Sequence, residues 1–199
     1  YLGDNWPEEY RGDLFTHNLH GHQLNRELLS RRDSAYLSSS HGQDTLYADD
    51  KQYLAVDLKY GPDGSVYSID WQDTQQCHVD DTARWDRTNG RLYRMSWKET
   101  FEPVRVKDLA SASEKQLLSA LRHKNEWFSR MAQHQIRQRA ADKPISPELA
   151  TSLRSTVFDQ TQLHRFRHLV ALDGTGQLNQ NDFTKLLKDT DETIRAHAL

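Results

Sequence analysis

Up to about residue 100 the apolar positions alternate with polar ones; beyond Pro103 they recur at helical spacing. In the first region Asp13–Leu19 reads as a strand, His20-Gly21 as a turn and Gln23–Leu28 as the returning strand, with Ala35–Ser38 as a further short one. Ala55–Tyr60 and Val66–Trp71 flank Pro62-Asp63-Gly64, where proline presets φ at the first corner and glycine accepts positive φ. A third strand of this group starts after Asn89-Gly90, a pair that favours tight hairpins. Short antiparallel strands at this spacing predict a sandwich or a propeller. The stretch Leu54–Trp97 reads as most of one propeller blade.

In the second region Ser113 caps a helix carrying Leu117, Leu118 and Leu121, and Asn125 caps the next, with Trp127, Met131 and Ile136 on or near one face. Ser146-Pro147-Glu148 is a cap followed by proline at the first helical position. Further helices are predicted over 160–172, 180–188 and 191–199. Several short helices with brief loops suggest an α-solenoid of stacked pairs. Asp191–Ala198 has the acidic start and D-x-x-x-R-x-x-A spacing common in HEAT-type repeats. The boundary is expected between residues 101 and 102.

Composition narrows the function classes. The chain has 199 residues, 36% hydrophobic and 28% charged, with a mean hydropathy of -0.90. No run approaches the roughly 18 apolar residues that a membrane span needs. Residues 1–101 hold 17 acids and 11 bases, residues 102–199 hold 12 acids and 15 bases. Neither half has the concentrated basic face that phosphate backbones demand, which argues against nucleic acid as a partner. A single cysteine, Cys77, excludes an internal disulfide and a Cys-rich zinc site. The opening Tyr1-Leu2-Gly3 without Met reads as a fragment or a processed chain.

Three segments carry candidate chemistry. The loop Trp71–Asn89 holds Asp73, Cys77, His78, Asp80, Asp81, Arg84, Asp86 and Arg87. Its acids can orient a sugar or Ca²⁺ through oxygen ligands, or the loop is simply tied together by Asp–Arg pairs and Asx turns. Cys77 as nucleophile lacks a local base. His17, His20 and His22 cross a turn and can bind a metal or supply a base, against the plainer reading of exposed turn histidines. Asp173–Phe183 resembles the middle of an EF-hand loop. With Gly176 at the glycine position, however, the first ligand falls on Ala171 and the last on the short Asp182, so an inter-helix turn is the better reading.

Six phrases in order resemble one family: GDNWPEEYRGDLF (3–15), HNLHGHQLN (17–25), VDLKYGPDGSVYSIDW (56–71), QCHVDD (76–81), DRTNGRLYRMSW (86–97) and LRHKNEWFSRMAQ (121–133). They are similar to the membrane-bound dehydrogenases of planctomycetes and verrucomicrobia. Those resemble quinoprotein glucose/sorbosone dehydrogenases in a six-bladed propeller, followed by HEAT-like repeats and usually a cytochrome c domain. The resemblance implies β + α in two domains: the C-terminal blades of a six-bladed β-propeller over 1–101, then an α-helical HEAT-like solenoid over 102–199.

It also implies a periplasmic or secreted oxidoreductase. That protein would oxidise a sugar or related alcohol and pass electrons to a haem domain outside this chain. The resemblance further implies PQQ and haem c as cofactors of the full-length protein, with none assigned to this segment. Leu54 and Val56 stand where basic residues clamp the quinone, His20 stands near an expected lysine, and Cys77-His78 lacks the second cysteine of a haem site. Candidate ligand-contacting residues are His20, Asp57, Asp70, Asp73 and His78. The alternative is a non-catalytic propeller–solenoid module that binds polysaccharide or protein.

Overall fold

A computed structural model describes residues 1–33, 35–74, 80–103 and 108–199. The chain divides into two compact units, Tyr1–Val104 and Arg105–Leu199.

The first unit is built from two open antiparallel sheets. One contains β1 (Leu14–Asn18), β2 (Gln23–Arg32) and β3 (Ala35–His41) in that order, with the short β4 (Leu46–Tyr47) also on β2. The other contains β5 (Ala55–Tyr60), β6 (Val66–Asp70) and β7 (Arg91–Met95) in sequence order. The β5–β6 turn forms as its residues dictate. Gly61 N–H donates to Ser65 O (2.9 Å) and Gly64 N–H to Gly61 O (3.0 Å), and Gly64 adopts φ +71°. A Cβ at Gly64 would also stand 2.4 Å from the Asn5 nitrogen, so glycine is required twice over.

Asn89-Gly90, by contrast, makes no tight hairpin. Asp70 and Arg91 are register partners, and the whole of 71–90 lies between them in the chain. Gly90 serves a different need, since a Cβ there would sit 3.3 Å from the Asp70 carbonyl oxygen.

The core of this unit is aromatic. Trp6, Leu24 and Val66 are buried among Tyr1, Tyr10, Phe15, Leu46, Leu58 and Met95. Trp6 stacks on Tyr1 at 5.0 Å, meets Phe15 edge-on at 5.3 Å, and donates its indole N–H to Met95 O (3.1 Å). Asn5 clamps Trp97 from both sides, accepting its N–H (2.7 Å) and donating to its carbonyl (3.2 Å). The amino-terminal segment therefore ties the first sheet to the end of β7.

The second unit holds, among the described residues, six helices: α1 (Glu114–Ala120), α2 (Glu126–Asp142), α3 (Pro147–Phe158), α4 (Arg165–Asp173), α5 (Gln180–Leu186) and α6 (Glu192–His197). The predicted caps operate. Ser113 and Gln116 form a capping box, Asn125 accepts from Trp127 N–H, and Ser146 accepts from Leu149 N–H ahead of Pro147. The predicted 160–172 helix starts only at Arg165. Asp159 draws the preceding chain into a turn by accepting from Thr161 N–H (3.0 Å), and His164 takes φ 59°.

One core, including Leu121, Ile136, Leu153, Leu169, Leu186 and Ile194, is shared by all six helices. A buried bidentate pair crosses it. Arg165 Nη1 donates to Asp189 Oδ1 (3.0 Å), Nη2 donates to Oδ2, and Nε donates to Val157 O (2.9 Å).

The expected architecture needs correction. The strands form two separate open sheets, and no closed ring or barrel is seen among the described residues, so the blades of a six-bladed propeller are not what this chain displays. A HEAT-like stack is not displayed either. What the six helices display is a single shared core rather than an established series of repeats. The Asp191–Arg195 spacing reflects local capping. Asp191 accepts from Thr193 N–H (2.8 Å), and Arg195 donates to the carbonyls of Asp189 (2.6 Å) and Thr190 (3.0 Å). Alternation and helical period report which face of an element is apolar. Ring closure and repeat stacking depend on distant partners that those periods do not encode.

His168, on α4, is 1% exposed; its Nδ1 lies 3.0 Å from the His164 carbonyl and its Nε2 has no hydrogen-bond partner. Burial, reinforced by Arg122 and Arg167, holds it below its ordinary 6.5. The native protein thus resists a proton that the unfolded chain accepts. Stability of the helical unit is expected to be intact above pH 6.5 and to fall as pH drops below it. Urea midpoints followed through the single tryptophan of this unit, Trp127, should decline from pH 7.5 to 5.5. His168→Gln should flatten that decline, and an unchanged slope in the variant would remove His168 as its source.

Candidate functional site

The inner face of the second sheet follows from its register. Val66, Ser68 and Asp70 alternate inward along β6, opposite Met95, Tyr93 and Arg91 of β7. Ser68 and Asp70 therefore stand beside Tyr93 and Arg91, next to the Val66–Met95 pair that joins the aromatic core. A bulge in β5, where the pairing jumps from Ala55 to Asp57, breaks the alternation of that strand. Ala55 is buried, but Val56 and Asp57 both turn outward.

Asp70 is the hub. It is 5% exposed, and its Oδ1 accepts from the backbone N–H of Leu54 (2.8 Å) and Gln72 (3.0 Å). Its Oδ2 accepts from Arg91 Nε (2.9 Å), and Arg91 Nη2 reaches on to Asp50 Oδ2 (3.1 Å). The result is a carboxylate–guanidinium–carboxylate chain running from the buried strand end to the surface.

Tyr53 is buried beside this chain and packs edge-on against Tyr93 at 5.7 Å and His17 at 6.0 Å. Its hydroxyl bonds the Ser68 side chain, and burial pushes its ionisation above the usual tyrosine value, as it does for Tyr93. Ser68 Oγ lies 2.9 Å from His17 Nε2, and burial lowers the His17 imidazole. His22 Nδ1 lies 2.9 Å from the Tyr53 carbonyl.

A cleft of about 250 Å³ opens over this array, lined by Leu46, Ala48, Asp50, Tyr53, Tyr93, Arg94 and Met95. Aromatic edges and faces, three apolar residues and a carboxylate anchored by Arg91 meet there. Such a surface suits a ligand with C–H faces and hydroxyl edges. Covalent chemistry is poorly served. Ser68, whose hydroxyl pairs with His17, is 1% exposed and beyond a substrate's reach.

The five candidate residues fare differently. Asp70 lies at the centre of the cluster. Asp73, 1% exposed, accepts from Asp86 N–H (3.1 Å) and so secures the loop leading to β7. Asp57 sits on the outer face, accepting from Leu58 N–H (2.8 Å) and Lys59 Nζ (3.3 Å). His20 occupies an exposed turn away from the cleft. His78, with Cys77, lies outside the described residues.

The three histidines around that turn do not converge, since His17 faces Ser68 and His22 faces the Tyr53 carbonyl. Among the described residues no group of three or more His, Cys, Asp or Glu side chains is placed to hold a metal. The EF-hand-like segment has a structural use. Asp182 caps α5 with Asn179 and accepts from Arg154 Nη2 at 2.5 Å.

Asp50, Tyr53, Arg91 and Tyr93 were not singled out from the sequence. The available signal was the equal two-residue step in Ser68/Asp70 and Arg91/Tyr93, which puts all four on one face once the strands pair.

Residues 1–99 match a family described as a domain of unknown function (DUF7133). No curated protein matches the chain, and no solved structure matches it. No helix among the described residues is long and apolar enough to cross a membrane.

Proposed function

We propose that the β unit binds an uncharged carbohydrate or related polyol in the cleft over Tyr53 and Tyr93. The observation that carries this reading is the Asp50–Arg91–Asp70 chain held rigid beside an aromatic pair. Asp50, 42% exposed in its side chain and anchored by Arg91, offers acceptors for ring hydroxyls. Tyr93 offers apolar surface for a sugar face. The two carboxylates balance the guanidiniums of Arg91 and Arg94, so the cleft selects hydroxyls over net charge.

The test is an NMR titration of the full chain with neutral mono- and oligosaccharides of glucose, galactose and xylose. Saturable shifts confined to residues around Tyr53 and Tyr93 are expected. Asp50→Ala and Tyr93→Ala should each weaken binding by about tenfold or more. No saturable shift at these residues with any of the sugars would overturn the reading.

A second reading, oxidation of a sugar or alcohol, rests on the resemblance of the six ordered phrases to those dehydrogenases. In it the same cleft would hold the substrate. The quinone of that family does not fit the residues present. Leu54 is 2% exposed with its N–H on Asp70, and Val56 faces outward, so neither position offers a cation. Dye-linked oxidation with added PQQ separates the readings, because binding without turnover supports the first and turnover supports the second.

A further inference from the structure

Between Glu126 and Asp142, helix α2 carries three arginines, one histidine and no carboxylate. Arg139 is engaged by the carbonyls of Ala110 (2.9 Å) and Ala112 (2.6 Å). The other three, Arg130, His134 and Arg137, follow at steps of four and three, the spacing that aligns side chains on one helix face. That face forms one wall of a cleft of about 340 Å³, whose other wall is the end of α4. The volume lies within the range of small-molecule sites, roughly 300–1,000 Å³.

All three basic side chains are exposed, and neither His134 nor Arg137 has a hydrogen-bond or ion-pair partner among the described residues. Three other arginines of the unit differ from Arg137. Arg154, Arg165 and Arg167 are each held by a carboxylate, from Asp182, Asp189 and Glu126 respectively. Gly174 completes the shape. A Cβ there would stand 3.4 Å from Arg137 Cβ and Cδ, so glycine lets the arginine stem lie against the α4 end. The far wall is not purely apolar, because Asp173 lies in it, 3.3 Å from His197 Nε2.

We propose that the cleft between α2 and α4 binds a small organic anion that also bears hydroxyl groups. Its carboxylate or phosphate is received by Arg130 and Arg137, whose planar forks suit both groups. A hydroxyl of the same molecule donates to Asp173. Arg137, unpaired among the described residues, gives the cleft its preference for an anion, and Asp173 gives the preference for a hydroxylated one. This inference stands on a different unit and different residues from the carbohydrate cleft.

The experiment is an NMR titration of the full chain with glucuronate, glucose 6-phosphate and glucose. Saturable shifts of α2 and α4 amides are expected with one or both anions, and none there with glucose. Response to glucuronate alone identifies a carboxylate site, and response to glucose 6-phosphate alone a phosphoryl site. The R130Q/R137Q variant should bind at least about tenfold more weakly, with its helical circular dichroism unchanged. Should that variant lose helicity, R137Q alone is the comparison, since Arg137 is exposed and unpaired. No saturable shift with either anion, or undiminished binding by the folded variant, overturns the proposal.

Discussion

Asp189→Ala is expected to destabilise the helical unit by roughly 3–5 kcal/mol, the cost of leaving one member of a buried ion pair alone. Arg165 and Asp189 are 7% and 9% exposed. The carboxylate takes both terminal nitrogens of the guanidinium and also accepts from Asp191 N–H (2.9 Å). Alanine would strand a buried guanidinium with only the Val157 carbonyl for company. Set against a typical domain stability of about 5–15 kcal/mol, that loss is large enough to unfold a marginal unit.

The Arg165 hydrogen bonds hold Asp189 below its ordinary 3.8. The contribution is therefore present at neutral pH and lost as pH falls below about 3.8. Urea denaturation followed by Trp127 fluorescence measures the loss. The double change Arg165→Met with Asp189→Leu should cost much less, because matched apolar replacement leaves no orphaned charge. Equal losses in the single and double variants would mean that side-chain volume, not charge pairing, matters at this site.

Asp70→Ala carries the second large effect, about 3 kcal/mol on the β unit. Two backbone N–H groups, of Leu54 and Gln72, would lose their acceptor, and Arg91 would lose its inner carboxylate. Asp70→Asn is the informative companion. It keeps one carbonyl oxygen for the backbone donors but removes the negative charge facing Arg91. If the ion pair anchors the cleft, Asp70→Asn should retain most of the stability yet weaken sugar binding through a loosened Arg91 and Asp50. Thermal unfolding beside the same NMR titration resolves the two. Full stability in Asp70→Ala would show that water replaces the carboxylate at no cost, contrary to its burial.

Much of the local structure was legible. Alternation located β1, β5 and β6, Pro62-Asp63-Gly64 formed its turn, and Ser113, Asn125 and Ser146 each capped a helix. Asp70 was legible as an acid at the end of an apolar strand. Its partners were not, since Arg91 is reached only after the long 71–90 connection and Asp50 lies on another loop altogether. Asn89-Gly90 marked the start of β7 but not a tight hairpin. The pair is compatible with a tight hairpin but does not compel one, and here glycine answers the close approach of the Asp70 carbonyl.

The same division runs through the whole protein. Residue order alone specified the two periods, the main turns and the caps, because these depend on neighbours within about one helical turn or one strand pair. The stretch Leu54–Trp97 declared its three strands in this way. The division into two open sheets, the shared helical core, the outward turn of Val56 and the gathering of Asp50, Tyr53, Asp70, Arg91 and Tyr93 required the folded chain. Each depends on a register, a bulge or a packing choice between distant segments, and in β5 one extra residue turned Val56 outward, against the face that alternation assigned.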